Sequence, residues 1–157
     1  MLQVPHLPQT NPQGRNSCVP AVVRMVLASQ GLVLGEEALC DLLETHPAGT
    51  EVFNVLLLTQ HLTGCRVEVA SASFDDLERW LQQGLPPIVF VATEVLPYWQ
   101  TACLHALVVV GIEEHAILVH APAFEQAPLT VPRDAFLAAW GELAQLTALI
   151  RISRSEP

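Results

Sequence analysis

The chain has 157 residues, the length of one compact domain, with little room for a second core. Hydrophobic residues make up 51% and charged residues only 15%, which excludes a disordered chain and supplies a large core. Seven basic against sixteen acidic residues leave a net charge of -9, which argues against electrostatic nucleic-acid binding, and the absence of Lys excludes a Schiff-base or phosphate-loop lysine.

Residues 1–16 mix prolines and glutamines without helical or strand period and read as an extended arm laid over the domain. Ser17 then precedes CVPAVVRMVLAS, a predicted helix with Ser17 as its cap, Pro20 in the first turn and Gly31 past the end. Val22, Met25, Val26 and Ala28 or Ser29 give it an apolar face. A second helix is predicted from about Glu36 to Glu44, with acidic residues at its positive end, and a third between Thr50 and Gly64. Arg66 to Ala70 alternates polar and apolar side chains and predicts a strand. In SFDDLERWLQQG, Ser73 and Asp76 make a capping box and Gly84 ends the helix. Pro86 and Pro87 lead into the strand IVFVA, followed by a loop at Thr93 to Thr101. Leu104 to Ile112 and Ala116 to His120 form a predicted hairpin across Glu113 and Glu114. APAFEQAP reads as a loop, Arg133 to Trp140 as a helix, and Leu146 to Ile152 as the last strand. Helices dominate the first half and strands the second, so the predicted class is α+β, one domain over residues 1–157.

Apolar runs such as Ala106 to Val110 are strand-sized, far below the roughly 18 residues of a membrane helix, so no membrane partner is expected. MLQVPHLPQT has no basic stretch followed by an apolar one, and no secretory signal is read there. Cys18, Cys40, Cys65 and Cys103 share no close spacing, which argues against a zinc knuckle or a disulfide framework. Free thiols in a cytoplasmic protein are the expectation.

One thiol stands apart. Cys18 opens a helix, where unpaired N–H groups and the macrodipole favour a thiolate, whereas Cys40, Cys65 and Cys103 read as core residues. A cysteine nucleophile needs a distant base and donors for an oxyanion. His105, at the start of a strand where a cleft can open, is the best base candidate; His46, His61 and His115 sit in polar loop or helix-surface settings.

The segment LPQTNPQGRNSCVPAVVRMVLASQG resembles the opening of papain-like cysteine peptidases of the bacteriocin leader-processing, double-glycine type and their stand-alone relatives. LHALVVVGIEEHAILVHAPAF is similar to that family's His-strand, turn, strand and Asp-Pro element, and VPRDAFLAAWG to its closing helix. The resemblance implies a papain-like fold with a helical N-terminal half packed on an antiparallel sheet. It assigns Cys18 as nucleophile, His105 as general base and Gln9 as the glutamine whose amide helps bind the oxyanion, with Gln13 as competitor. The Cys18 N–H would be the second donor. Two positions depart from the family pattern: the Gly after the nucleophile is Val19, and the Asp or Asn that orients the histidine is Ala121. His120 is adjacent but on the opposite face of an extended strand; the replacement candidates are a water, a backbone carbonyl or Glu125 from the next loop.

These features imply a cysteine peptidase or related thiol hydrolase with its third triad residue missing, acting on a peptide or protein without a cofactor. The alternative is an inactive papain-like domain that binds a peptide or partner protein in the old cleft. A metal site of Cys18, His105 and His120 is a distant third, because no ligand-spaced pair lies on a helix. Oligomeric state stays open.

Overall fold

In the computed structural model, residues 1–93 and 104–153 are described. The loop expected beyond Thr93, and Cys103, lie outside the described residues. Strands β1 (Cys65–Ser71), β2 (Ile88–Ala92), β3 (Leu104–Ile112), β4 (Ala116–His120), β5 (Leu129–Pro132) and β6 (Leu146–Ile152) form one sheet in the order β1-β6-β2-β3-β4-β5. Every neighbouring pair runs antiparallel.

The sheet is covered on both faces, which explains why IVFVA of β2 is apolar at every position instead of alternating. Along β3, Ala106, Val108 and Val110 turn to the face packed by α1 (Cys18–Ser29), together with Val22, Val26, Phe90 and Ile150. Leu107 and Val109 turn to the other face, where α4 (Phe74–Gln82) and α5 (Arg133–Gly141) bring Leu77, Phe136 and Trp140. The predicted two-layer arrangement is thus extended by helices behind the sheet. Trp140 is fully buried, and its indole N–H donates to Thr147 Oγ1 at 3.2 Å.

Helix α1 carries apolar side chains nearly all round, with Val22, Val23, Met25, Val26 and Leu27 completely buried, so it behaves as a central helix and not an amphipathic surface one. Its end is pinned to β6: Gln30 Nε2 donates to the Ile150 carbonyl and Gln30 Oε1 accepts from the Ile152 N–H, each at 2.8 Å. The start of the helix differs from the sequence expectation. Ser17 precedes the helix but makes no capping bond; its hydroxyl is drawn away to the Glu36 carboxylate.

Other elements differ in detail. Helix α2 spans Glu36–Leu42, shorter than predicted, and Glu44 takes a positive φ of 56° that no helix continues through. The stretch after Thr50 is a 3-10 helix over Val52–Leu57 that passes into a single α-turn, α3 (Leu58–His61). β-branched Val52 and Val55 disfavour an α-helix, and the Asn54 side chain is held by the Leu43 carbonyl at 3.0 Å. Strand β5 was not anticipated beside the APAFEQAP loop. Pro132 hides it in the sequence, yet β5 is an edge strand, where a missing N–H is tolerated. Gly64, at φ 76°, closes the turn into β1, where a Cβ would fall 2.7 Å from the Ser153 carbonyl oxygen.

The arm of residues 1–16 is tacked down along the β3–β4 region. Leu2 N–H donates to the Val110 carbonyl at 2.8 Å, His120 Nε2 to the Val4 carbonyl at 2.9 Å and His6 Nε2 to the Phe124 carbonyl at 2.7 Å. Among the described residues no helix is long and apolar enough to cross a membrane.

The capping box of α4 is present in both directions: Asp76 N–H to Ser73 Oγ at 3.1 Å, and Ser73 N–H to Asp76 Oδ2 at 2.9 Å. Ser73→Ala should therefore lower stability by about 1 kcal/mol without altering the fold, read as a shifted urea midpoint with unchanged m-value.

Candidate active site

Cys18, the first residue of α1, and His105, the second residue of β3, border one cavity of about 180 Å³. Both are nearly enclosed, 7% and 8% exposed. The rest of the wall is mostly apolar, with Val19, Val52, Phe90 and Leu143, while Asn16 and Thr50 supply the polar side chains. A larger cavity of about 450 Å³, lined by residues such as Leu81, Glu113 and Arg133, contains neither Cys nor His and lies apart from this chemistry.

Helix geometry explains the thiol's setting. The first turn of an α-helix leaves backbone N–H groups without intrahelical acceptors. Pro20 removes one such group, and the Ala21 N–H closes the first helical bond on the Ser17 carbonyl at 2.9 Å. The Cys18 N–H, expected to serve an oxyanion, is held at 3.2 Å by Asn16 Oδ1. That bond is long, so a charged oxygen in the cavity would compete well for the same hydrogen.

His105 faces Val91 across the β2–β3 pair. Its Nδ1 lies 3.3 Å from the Ala106 carbonyl. Burial pushes the imidazole below its ordinary value, and the Ala106 carbonyl offsets part of that shift. Cys40 and Cys65 are buried free thiols whose values are raised by burial, which keeps them unreactive.

Gln9 does not border the cavity. Its Nε2 donates to Asn11 Oδ1 at 2.8 Å, its Oε1 is buried without a partner, and its N–H bonds the Pro122 carbonyl at 2.8 Å. Gln13 is exposed, its amide donating to Glu37 Oε1 at 2.8 Å. The anchoring of Gln9 beside Ala121 and Pro122 joins the arm to the end of β4.

The Peptidase C39 family model matches residues 6–149, nearly the whole chain. This chain belongs to the Peptidase C39 family. Solved structures agree in fold: a C39-like peptidase from Bacillus anthracis, at 14% identity and a TM-score of 0.78, covers 98% of this chain and 96% of its own. The peptidase domain of Streptococcus ComA, a bifunctional ABC transporter of a quorum-sensing pathway, has 19% identity and a TM-score of 0.75, over 98% of this chain and 100% of that one. A double-glycine-motif protease from an AMS/PCAT transporter, solved with its leader peptide, has 16% identity and a TM-score of 0.72, over 97% and 94%. No curated protein sequence matches. The fold is papain-like.

In this C39 chain Ala121 is fully buried in the rear cluster alongside Leu107, so that position presents a methyl group and no acceptor. His120 points to the arm, as strand alternation predicts, and Glu125 is exposed. Val19 is buried and forms part of the cavity wall. Asn16 and Glu36 were not singled out from the sequence. Asn16 had one signal, a lone amide two residues before the candidate nucleophile; Glu36 looked like an ordinary acidic residue at a helix start.

His105 and His120 are both held below the ordinary imidazole value, first by burial. The unfolded chain then binds protons that the folded protein resists, so their contribution is intact above the unfolded value of 6.5 and is lost as pH falls below it. The urea midpoint should drop between about pH 7.5 and about pH 5.5, and His120→Gln should reduce that drop.

Proposed function

We propose that this C39 family member is a peptidase that cleaves a peptide or protein amide bond through Cys18 and His105, with residues 1–157 acting as one catalytic domain. The observation that carries this reading is the shared cavity: a thiol at a helix start and an imidazole on a neighbouring strand border the same small, largely enclosed space. In the first step the Cys18 sulfur bonds the substrate carbonyl carbon while His105 takes the thiol proton. As the C–N bond breaks, His105 gives that proton to the leaving amine. Water, deprotonated by His105, then attacks the thioester and frees the acid and the thiol.

The transient oxyanion is served by the Cys18 N–H, released from Asn16, and by the Gln9 amide, which must leave Asn11 and turn toward the cavity to reach it. A double-glycine protease with a leader peptide is among the structural neighbours. Together with a cavity narrowed by Val19, this supports small residues beside the scissile bond. Free thiols at Cys40 and Cys65 suit a reducing compartment, in keeping with a cytoplasmic location.

A second reading, a domain that binds peptides without cutting them, is favoured by Ala121 and Val19. The two separate cleanly. Cys18→Ala should abolish hydrolysis of a peptide carrying a Gly-Gly pair, His105→Ala should nearly do so, and Gln9→Ala should cost about a hundredfold. Unchanged turnover in the Cys18→Ala protein would sink the mechanism; binding of that peptide with no cleavage by the parent would establish the second reading.

The vacancy at Ala121 gives another test. In Ala121→Asp a carboxylate would stabilise protonated His105 and with it the thiolate, so iodoacetamide should alkylate Cys18 at lower pH than in the parent, with a smaller effect for Ala121→Asn. An unmoved pH profile would mean that the missing carboxylate does not limit this site.

A further inference from the structure

Glu36 is a carboxylate buried to 5% exposure, and no Lys or Arg is paired with it among the described residues. A buried charge needs compensation by donors. Glu36 stands at the start of α2 and receives the Thr10 N–H at 3.0 and 3.1 Å, the Thr10 hydroxyl at 2.8 Å, and the Ser17 hydroxyl. The identity of those donors is what matters. Thr10 directly follows Gln9, and Ser17 directly precedes Cys18.

The same residues close a ring. Ser17 Oγ accepts the Asn11 N–H at 3.0 Å, Asn11 Oδ1 accepts the Ser17 N–H at 3.2 Å, and Asn11 Oδ1 also takes the Gln9 amide hydrogen at 2.8 Å. Asn11 holds a left-handed conformation, φ 52° and ψ 55°, which a non-glycine residue keeps only when its surroundings fix it. Arm and helix start are thereby fastened to one negatively charged group. Glutamine would replace one acceptor oxygen by a donor, so the Thr10 N–H would lose one of its two acceptors and a hydroxyl of Thr10 or Ser17 would have to turn to accept.

We propose that Glu36 is a positioning residue of the oxyanion site: by holding Thr10 and Ser17 on one carboxylate, it keeps the arm segment that carries Gln9 against the helix start that carries Cys18, within reach of the cavity. This rests on the roles given above to Cys18 and Gln9. The effect is confined to steps that generate an oxyanion.

Two small reagents isolate that step. 4-Nitrophenyl acetate acylates the thiol: the S–C bond forms, a tetrahedral oxyanion appears, the C–O bond breaks and nitrophenolate leaves, with the thiol proton passing to His105. Iodoacetamide forms an S–C bond with loss of iodide and makes no oxyanion. Glu36→Gln should slow acylation of Cys18 about tenfold or more, while alkylation stays within about twofold. In the Glu36→Gln background the cost of Gln9→Ala should shrink to less than about threefold, because the glutamine is already out of reach. Near-UV circular dichroism checks the fold; if Glu36→Gln does not fold, Thr10→Val, which removes one donor and keeps the charge, carries the same expectation of slowed acylation and unchanged alkylation.

Equal loss of both reactions would mean a merely structural role and would overturn the proposal. So would a Gln9→Ala cost that is undiminished in the Glu36→Gln background. Either result leaves the peptidase reading standing, whereas a parent protein that is not acylated at Cys18, or is indifferent to Gln9→Ala, overturns the underlying assignment and the clamp with it.

Discussion

Helix α1 starts inside the protein, and the arrangement around the cavity follows from that. A helix whose sides are apolar nearly all round must be largely enclosed, yet its first turn exposes N–H groups that cannot be left bare in a dry interior. Pro20 dispenses with one, Asn16 takes another, and the arm of residues 1–16 is laid over the opening. The far end is held by the Gln30 amide, which bonds β6 through both its nitrogen and its oxygen. With both ends fixed, the helix holds Cys18 at the cavity wall while its flanks pack against the sheet.

The sheet places the other partner. Register pairs His105 with Val91 and Val108 with His120, and a bulge between Val109 and Gly111 shifts the hairpin beyond. Each strand therefore serves two clusters at once. The front cluster contains Cys18 and the α1 side chains, and the rear cluster contains Ala121 with Leu107, Phe136 and Trp140. Because Ala121 belongs to the rear cluster, it is a small apolar group that packs well there, and its side chain offers the imidazole no acceptor.

The regular elements were legible because short-range chemistry dictates them. Ser73 with Asp76, the apolar run of β2, the hairpin around Glu113 and Glu114, and the closing strand Leu146–Ile152 each carry their signal within a few residues. The candidate pair was legible for the same reason, since Cys18 opens a helix and His105 stands second in a strand. What escaped depends on partners far along the chain. Ser17 has the local signature of a cap, but Glu36, nineteen positions away, offers a stronger, charged acceptor, and the hydroxyl goes there. Strand β5 exists only through pairing with β4, and its flanking prolines argued locally against it. Gln30 carries no local signal of its role, because its two partners lie on β6.

The balance at His105 separates two tasks that a triad carboxylate performs together. An acidic side chain beside an imidazole fixes which nitrogen carries the proton, and it also stabilises the cation formed when the ring accepts a second one. At His105 the first task has a substitute within reach. Nδ1 lies against the Ala106 carbonyl, and a carbonyl can only accept, so the proton belongs on Nδ1 and Nε2 is left as the base. The second task has no such substitute in that carbonyl, which carries a dipole and no net charge, while burial presses the ring toward its neutral form. Under the proposed mechanism burial therefore works against the imidazolium that forms when His105 takes the thiol proton. A fully buried Asp at position 121 would supply the missing charge only by giving up its own hydration against Leu107 and its neighbours, a cost that pairing with His105 must offset. The alanine avoids that cost, and under the proposed mechanism the reactivity of Cys18 rests on an imidazole that has no charged partner at position 121.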